Sequence, residues 1–371
     1  MKHCELGEIL LDLGPDRECG NPRNSEGSFI ELTNGRLVFV YSRFRGQLAE
    51  DYATSDLCML YFNQDYQMED WRIIIRCEDE DAINIMSTSL LRMKDGDLGL
   101  FYLVRKNRSD LKMYLRRSAD DGKTWGDRIL CTPGEDFFVV NNDRVTRLSN
   151  GRIIIPAAAH PVTEDGYCEF AQTSFFYSDD DGKTWEESPE RITMPSYNIC
   201  NSGLQEPGVV EMEPGKIMAW ARTDLGRQYQ SFSEDYGEHW QNCQPSSFTS
   251  PNSPLSIRKI NDEVFIAAWN PIPQYNGKIE TTKIFLGGRC PLVLAVSVDG
   301  GKHFSEPLAF ETDQERGYCY CAMFFTEKDL FLAYCAGGIA DGSCLSRCRI
   351  RKIPMKSIVH IVQEEKNNRE E

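Results

Sequence analysis

Four segments of the chain repeat one form: SADDGKTW (Ser118 to Trp125), SDDDGKTW (Ser178 to Trp185), SEDYGEHW (Ser233 to Trp240) and SVDGGKHF (Ser297 to Phe304). At average composition one full match to S-x-D-x-G-x-x-W/F arises in about one in a thousand chains of this size, so four are not accidental. Their starts lie 60, 55 and 64 residues apart, which is a repeat period. The physics of the box is that of a hairpin turn: its Asp accepts from turn amides, its Gly supplies a positive φ, and its aromatic fills the gap between neighbouring sheets. The boxes are therefore scaffold rather than site.

A second series of turns counts the units independently. Apolar runs flank Asn34-Gly35, Asp95-Gly96, Asn150-Gly151, Pro214-Gly215, Asn261-Asp262 and Glu327-Lys328, each followed by a strand-like run such as RLVFVY or LFLAYC. Each unit then has one hairpin and two further strands around a box. Six such sheets arranged radially make an all-β, six-bladed β-propeller, at about 62 residues per blade. In the first unit the box has decayed to NQDYQMEDW (Asn63 to Trp71), and the sixth unit has none and is one strand short. The N-terminal segment CELGEILL is expected to supply that strand and so remove two exposed edges. Residues 1–362 are read as one propeller without internal boundaries. Helical periodicity is nearly absent, and the polar tail 363–371 is expected to fray.

Charge and composition exclude several classes of function. Among 371 residues, 41 basic against 57 acidic give a net charge of −16 with no Lys/Arg-rich block, which argues against nucleic acid. No run approaches the ~18 apolar residues of a membrane span. The start, MKHCELGEIL, lacks a basic stretch followed by an apolar one, so a cytoplasmic protein is expected. The 14 cysteines are scattered and suggest free thiols rather than a disulfide framework or a zinc ribbon.

In a propeller the innermost strand of each blade starts near the axis, so residues just ahead of each first hairpin strand converge on one mouth. Counting back about eight residues from each turn gives Ser25-Glu26, Ser87, Asn142-Asp143-Arg144, Glu206, Asn252-Ser253 and Tyr320.

The chain resembles the sialidase (neuraminidase) superfamily, in its BNR or Asp-box branch, over nearly its whole length. LQEPGVVEMEPGKIMAWARTD is similar to the segment in which a Glu opens one strand and an Arg closes the next, here Glu206 and Arg222. RCPLVLAVSVDGG resembles the segment holding another arginine ahead of a box, here Arg289, and YCAMFF resembles the nucleophile strand, with Tyr320 in that role. RFRGQLAEDYATSDL lies where sialidases carry their aspartic acid/base, with Asp51 preferred over Glu50 and Asp56.

The resemblance implies an exo-acting, retaining glycoside hydrolase for a terminal acidic sugar, with no metal or other cofactor. Sialidases are the Tyr-nucleophile exception among glycosidases. A carboxylate on the anomeric carbon repels an anionic nucleophile but not a phenol. Glu206 would take the phenol proton, Asp51 would serve the leaving group, and Arg222 and Arg289 would fork onto the sugar carboxylate. One element is missing: the first blade of a sialidase opens on an Arg-Ile-Pro segment, and NSEGSF stands here instead. Glu26 in that place disfavours an acid and suits a hydroxyl donor. Arg23, Arg43 and Arg144 are the candidate substitutes, Arg144 foremost, with Asn142 and Asp143 as further binding residues. Two other readings are a propeller glycosidase for another sugar (uronic, nonulosonic or neutral) and a catalytically silent carbohydrate-binding propeller.

Overall fold

The computed structural model describes residues 1–195, 199–273 and 283–370. Six antiparallel sheets follow one another along the chain. Blade I is Asn24–Glu31, Leu37–Phe44, Ser55–Phe62 and Met68–Ile75, and blade II is Asn84–Arg92, Leu98–Arg105, Leu111–Ser118 and Ile129–Leu130. Blade IV (Gln205–Glu213, Lys216–Arg222, Arg227–Ser233, Gln244–Thr249) and blade V (Ser256–Lys259, Phe265–Trp269, Leu292–Ser297, Leu308–Glu311) repeat the plan. In blade III the innermost strand is broken. Phe137–Val139 and Thr146–Arg147 both pair with Ile153–His160, ahead of Gln172–Ser178 and Glu186–Glu187.

Strand alternation explains the radial packing, because successive side chains leave opposite faces of a sheet. Ile153 and Ile155 join the core shared with blade II, whereas Ile154 joins the core shared with blade IV. In blade I, Val38 and Val40 face blade II while Leu37 and Phe39 face blade VI. Blades without a polar face must be covered on both sides, and only a closed ring does this for every sheet.

The four boxes occupy equivalent outer turns, between the third and fourth strands of blades II to V. In each the Ser hydroxyl donates to the Asp and accepts from the Gly amide, as in Ser178 Oγ to Asp180 Oδ1 at 2.8 Å and Gly182 N to Ser178 Oγ at 2.8 Å. Asp180 Oδ1 also accepts from the amides of Lys183 and Thr184. Each aromatic wedges against the core shared with the preceding blade: Trp125, Trp185, Trp240 and Phe304 in turn.

Blade VI is Cys319–Phe325, Asp329–Cys335 and Cys348–Pro354, and its outer strand is Glu8–Leu13 from the N-terminal segment, antiparallel to Cys348–Pro354. Lys2–His3 adds in parallel to Leu308–Glu311 of blade V, so the segment stitches both blades. The expected frayed tail is a correction. Met355–Glu370 is an α-helix that runs across position 362, with Ile358 and Ile361 packed on the core between blades V and VI. Lys366 and Arg369 pair with Glu263 and Asp299 of blade V. Apolar residues three to four apart in SIVHIV carry the helical signal, which is too short to stand out beside so many strands.

Asp180→Ala removes the acceptor of four turn hydrogen bonds and is expected to cost roughly 1–3 kcal/mol. Urea denaturation with an unchanged m-value would measure it.

Candidate functional site

The inner strands place the site through an unusual backbone feature. Glu26, Ser87, Asp143, Glu206 and Tyr320 all have φ between 46° and 59°, the left-handed region that non-glycine residues rarely enter. In blades I, II, IV and VI this residue sits in a one-residue bulge against the second strand. A bulge re-aims side chains. It is what turns Glu206 and Tyr320 away from the inter-blade cores and toward the axis.

At that end of the ring lies a cavity of about 660 Å³. Its wall includes Tyr320, Glu206, Glu26, Arg23 and Asp51, with Met86, Leu103, Leu111, Phe137, Val140 and Tyr167 forming an apolar side. Tyr320 Oη donates to Glu206 Oε1 at 2.8 Å. Burial first, and then the Glu206 charge, hold the Tyr320 hydroxyl well above the ordinary phenol range, against Arg222 and Arg289. The resting group is a neutral phenol with a base on it.

The other half of the site is an ion cluster. Arg23 donates from Nη1 to Asp51 Oδ1 at 2.7 Å and from Nη2 to Glu26 Oε1 at 3.2 Å, while its Nε donates to Ser25 Oγ at 2.9 Å. Burial pushes the Glu26 carboxyl up to about 8; Arg23 opposes this, and the charges of Asp51 and Glu206 add to it. Asp51 is 61% exposed toward the mouth yet ringed by protein atoms. That desolvation raises its pKa, but Arg23 outweighs it and holds the carboxyl below the usual range.

Arg222 and Arg289 stand against the Tyr–Glu pair rather than on the cavity wall. Arg222 Nε lies 3.2 Å from Glu206 Oε2, an ion pair whose angle is too poor for a hydrogen bond. The Arg289 guanidinium carbon lies 5.3 Å from the centroids of both the Tyr320 and Phe285 rings. Both arginines donate to the Asn252 carbonyl, at 3.5 and 3.3 Å.

Four expected binding residues lie elsewhere. Arg43 stacks on Trp71, 5.6 Å from its ring, on an outer part of blade I. Asn142 donates to the carbonyls of Gly27 and Tyr320, and thereby supports backbone. Asp143 pairs with Arg258 at 2.7 Å and accepts from Ser28 and the Met323 amide, which ties blades I, V and VI to blade III. Arg144 is buried and donates to Ser256 Oγ and the Leu255 carbonyl. These three plug the axis beneath the cavity because the broken inner strand of blade III lets the chain cross it. Arg23, not Arg144, brings a guanidinium to the wall. Glu26 is therefore no isolated charge but the partner of Arg23.

Of the competing candidates, Asp56 accepts from the Cys77 amide and pairs with Arg45 away from the cavity, while Glu50 lines it. Tyr318 is packed in the core between blades V and VI. His160, buried and kept neutral by desolvation, packs edge-on against Phe137 and Tyr167. Asn141, Arg105 and the stacked pair Phe137–Tyr167 were not foreseen as lining; nothing in local pattern marks them, since they reach the wall from the second strand of blade II, from the broken inner strand of blade III and from the hairpin Val162–Thr163/Gly166–Tyr167. Asp235, Glu238 and His239 bring possible metal-ligand atoms within 4.8 Å of one another, but in the outer turn of the blade IV box.

A Tyr–Glu pair, flanking arginines and a mouth aspartate at the axis of a six-bladed ring define a sialidase-like propeller. The family of BNR repeat-like domains matches residues 60–332, and the chain belongs to it. A sialidase of Bacteroides fragilis is 24% identical over 262 residues, 67% of this chain and 42% of the relative, so the chain spans less than half of that protein. A crystal structure of a Dyadobacter fermentans protein of unknown function superposes with a TM-score of 0.70 at 16% identity, covering 93% of this chain and 99% of that one. The NanB sialidase of Streptococcus pneumoniae gives a TM-score of 0.68 at 12% identity, over 94% of this chain and 70% of that one. These structural likenesses speak to the fold.

The raised Glu26 carboxyl has a consequence for stability. Its native pKa of about 8 lies above the unfolded value of 4.5, so the native state holds a proton that the unfolded chain has released between those values. Stability from this group is full below the ordinary glutamate range and is lost as pH rises toward 8. Glu26→Gln is expected to flatten the decline in melting temperature across that window, an effect on the order of a few kcal/mol.

Proposed function

We propose that the protein is a sialidase-type exo-glycoside hydrolase that works with retention through Tyr320. The observation that carries this reading is the Tyr320–Glu206 hydrogen bond of 2.8 Å inside a cavity whose mouth holds Asp51. Tyr320 Oη attacks the anomeric carbon while Glu206 Oε1 takes the phenol proton, and Asp51 protonates the departing oxygen. In the second half, Asp51 takes a proton from water, whose oxygen bonds to the anomeric carbon as the Tyr320 oxygen leaves with the electron pair and takes back its proton from Glu206. A neutral nucleophile suits a site already holding the Asp51 and Glu206 carboxylates, where a further one would be repelled.

The substrate reading is a terminal acidic sugar. Arg222 and Arg289 converge on one carbonyl, the carboxylate paired with them among the described residues is Glu206, on Arg222, and two neighbouring guanidiniums behind the Tyr–Glu pair favour an incoming carboxylate. Arg23 has less to give, since Glu26 and Asp51 already occupy it. Sialosides are accordingly expected to turn over feebly.

Two measurements test the reading. A screen of aryl glycosides of sialic, uronic and neutral sugars on purified protein should find turnover of an acidic glycoside that Tyr320→Phe abolishes while leaving the melting curve unchanged. Full activity in Tyr320→Phe would end the nucleophile assignment, turnover of a neutral glycoside alone would end the acidic-sugar reading, and binding without turnover would make the protein a lectin. Secondly, Arg23 holds Asp51 ionised, so kcat/KM for a glycoside with a poor leaving group should rise as pH falls toward the carboxylate range. Arg23→Gln should move that rise to higher pH.

A further inference from the structure

Arg289 is a buried cation without a carboxylate. It is 4% exposed, and no Asp or Glu oxygen among the described residues lies within 4.0 Å of its nitrogens. A guanidinium removed from water needs an anion, or its neighbours must satisfy every donor. Neither condition is met by what surrounds it in neutral form. Nε has no partner among the described residues, Nη2 donates to the Asn252 carbonyl at 3.3 Å, and the flanking Phe285 and Tyr320 rings offer only a weak cation–π attraction. Arg222 donates to the same carbonyl and adds a like charge. The remaining contact is Nη1 to Cys319 Sγ, at 3.0 Å. The one acidic group in hydrogen-bond reach of Nη1 or Nη2 among the described residues is therefore a thiol.

Cys319 is built for this contact by the blade. It opens the inner strand of blade VI, one residue ahead of Tyr320, and stands opposite Cys335 on the next strand. Directly opposed residues of an antiparallel pair share a face, so their sulfurs meet. Cys344 approaches the same sulfur from the loop after that strand. A thiol is a weak donor, and thiols gathered beside one sulfur favour its anion.

We propose that Cys319 is ionised in the resting protein and is the counter-ion of Arg289, a buried thiolate–guanidinium pair that positions this arginine behind Tyr320. The surroundings agree in sign. Burial would raise the Cys319 thiol, but hydrogen bonds from Cys335 and Cys344 and the charge of Arg289 pull it well below the ordinary range. Cys335 and Cys344 are pushed the other way, each mainly by its hydrogen bond to Cys319, as donors to an anion should be. A carboxylate in this place would take Arg289 in a fork and use two of its nitrogens, whereas one sulfur takes Nη1 alone. Nε, without a partner among the described residues, stays available for a second anion. That last consequence rests on the acidic-sugar reading; the ion pair does not.

Among the three buried thiols of this cluster, the pair makes Cys319 the preferred site for a small sulfenylating reagent. With methyl methanethiosulfonate the Cys319 sulfur attacks the reagent's thiomethyl sulfur, a new S–S bond forms, and methanesulfinate leaves with the electron pair. No oxidant and no proton transfer is required.

The test starts with the ultraviolet absorbance of the thiolate, which needs no substrate. About two pH units below the ordinary cysteine pKa of ~8.5, the parent should show one thiolate more than Cys319→Ser. Arg289→Met should lose that band and Arg289→Lys should keep it. An equal band in parent and Cys319→Ser, or one that survives in Arg289→Met, overturns the pair. With limiting methyl methanethiosulfonate, mass spectrometry should find Cys319 labelled ahead of Cys335 and Cys344; the reverse order also overturns it. With a glycoside from the screen, Cys319→Ala should raise KM about tenfold with kcat nearly unchanged, and Cys319→Asp should recover most of the loss. An unchanged KM would end the positioning role. If no glycoside is turned over, the enzymatic reading fails, while the absorbance still decides the pair.

Discussion

Five of the six inner strands carry a non-glycine residue at positive φ, and the site depends on that constraint. The left-handed region costs an L-residue roughly 1–2 kcal/mol, so such residues persist only where the surrounding structure over-determines them. Here the two inter-blade cores on either side of each sheet fix the strand, and the extra residue of the bulge has nowhere to go but the axis. Simple alternation would put Tyr320 on the same face as Tyr318, which is packed between blades V and VI. The bulge breaks that alternation and delivers the phenol to Glu206. The backbone strain is thus how a closed ring of apolar sheets exposes polar side chains at one end.

Bringing those side chains together concentrates charge where water is scarce, and the molecule answers with three different partnerships. Arg23 is held by two carboxylates, Glu26 and Asp51, and sets them apart: one raised by burial, the other kept ionised at the mouth. Arg222 shares Glu206 with Tyr320. Arg289 has a sulfur and two aromatic faces. Such a cluster titrates as a unit rather than residue by residue. Below it, Asp143 and Arg144 clamp blades across the axis through one ion pair, with Arg258, and hydrogen bonds to Ser256 and the Leu255 carbonyl.

Much of this was legible in the chain. The boxes and the hairpin turns counted six blades, because both are local turn chemistry repeated at nearly constant spacing. The N-terminal closing strand followed from a sixth unit one strand short. Counting back about eight residues from each first turn reached the stretches that hold Glu26, Ser87, Asp143, Glu206 and Tyr320, all found at positive φ, and also Asn252-Ser253, which is not. What the count could not reveal was orientation. Arg23 lies three residues before Glu26 and enters the cavity through a reach across the mouth to Asp51 and Ala49. Asn142, Asp143 and Arg144 meet the axis below the cavity because the inner strand of blade III is broken. The C-terminal helix was hidden because a short apolar run with two buried isoleucines reads equally as the end of a strand.

The sequence alone therefore determined the repeat, the blade number, the closure and the family of the fold, since each is encoded in turns and alternation within about ten residues. It also placed a Tyr and a Glu near one axis, and the family resemblance added two Arg. Only the tertiary structure decided which charges pair, which guanidinium reaches the wall and which stand behind it, and that a thiol sits against Arg289. The physical reason is range: turn and strand signals act along the chain, whereas the pairing of buried charges is settled between blades by distances of about 3 Å between residues as far apart as Glu206 and Tyr320, 114 positions along the chain.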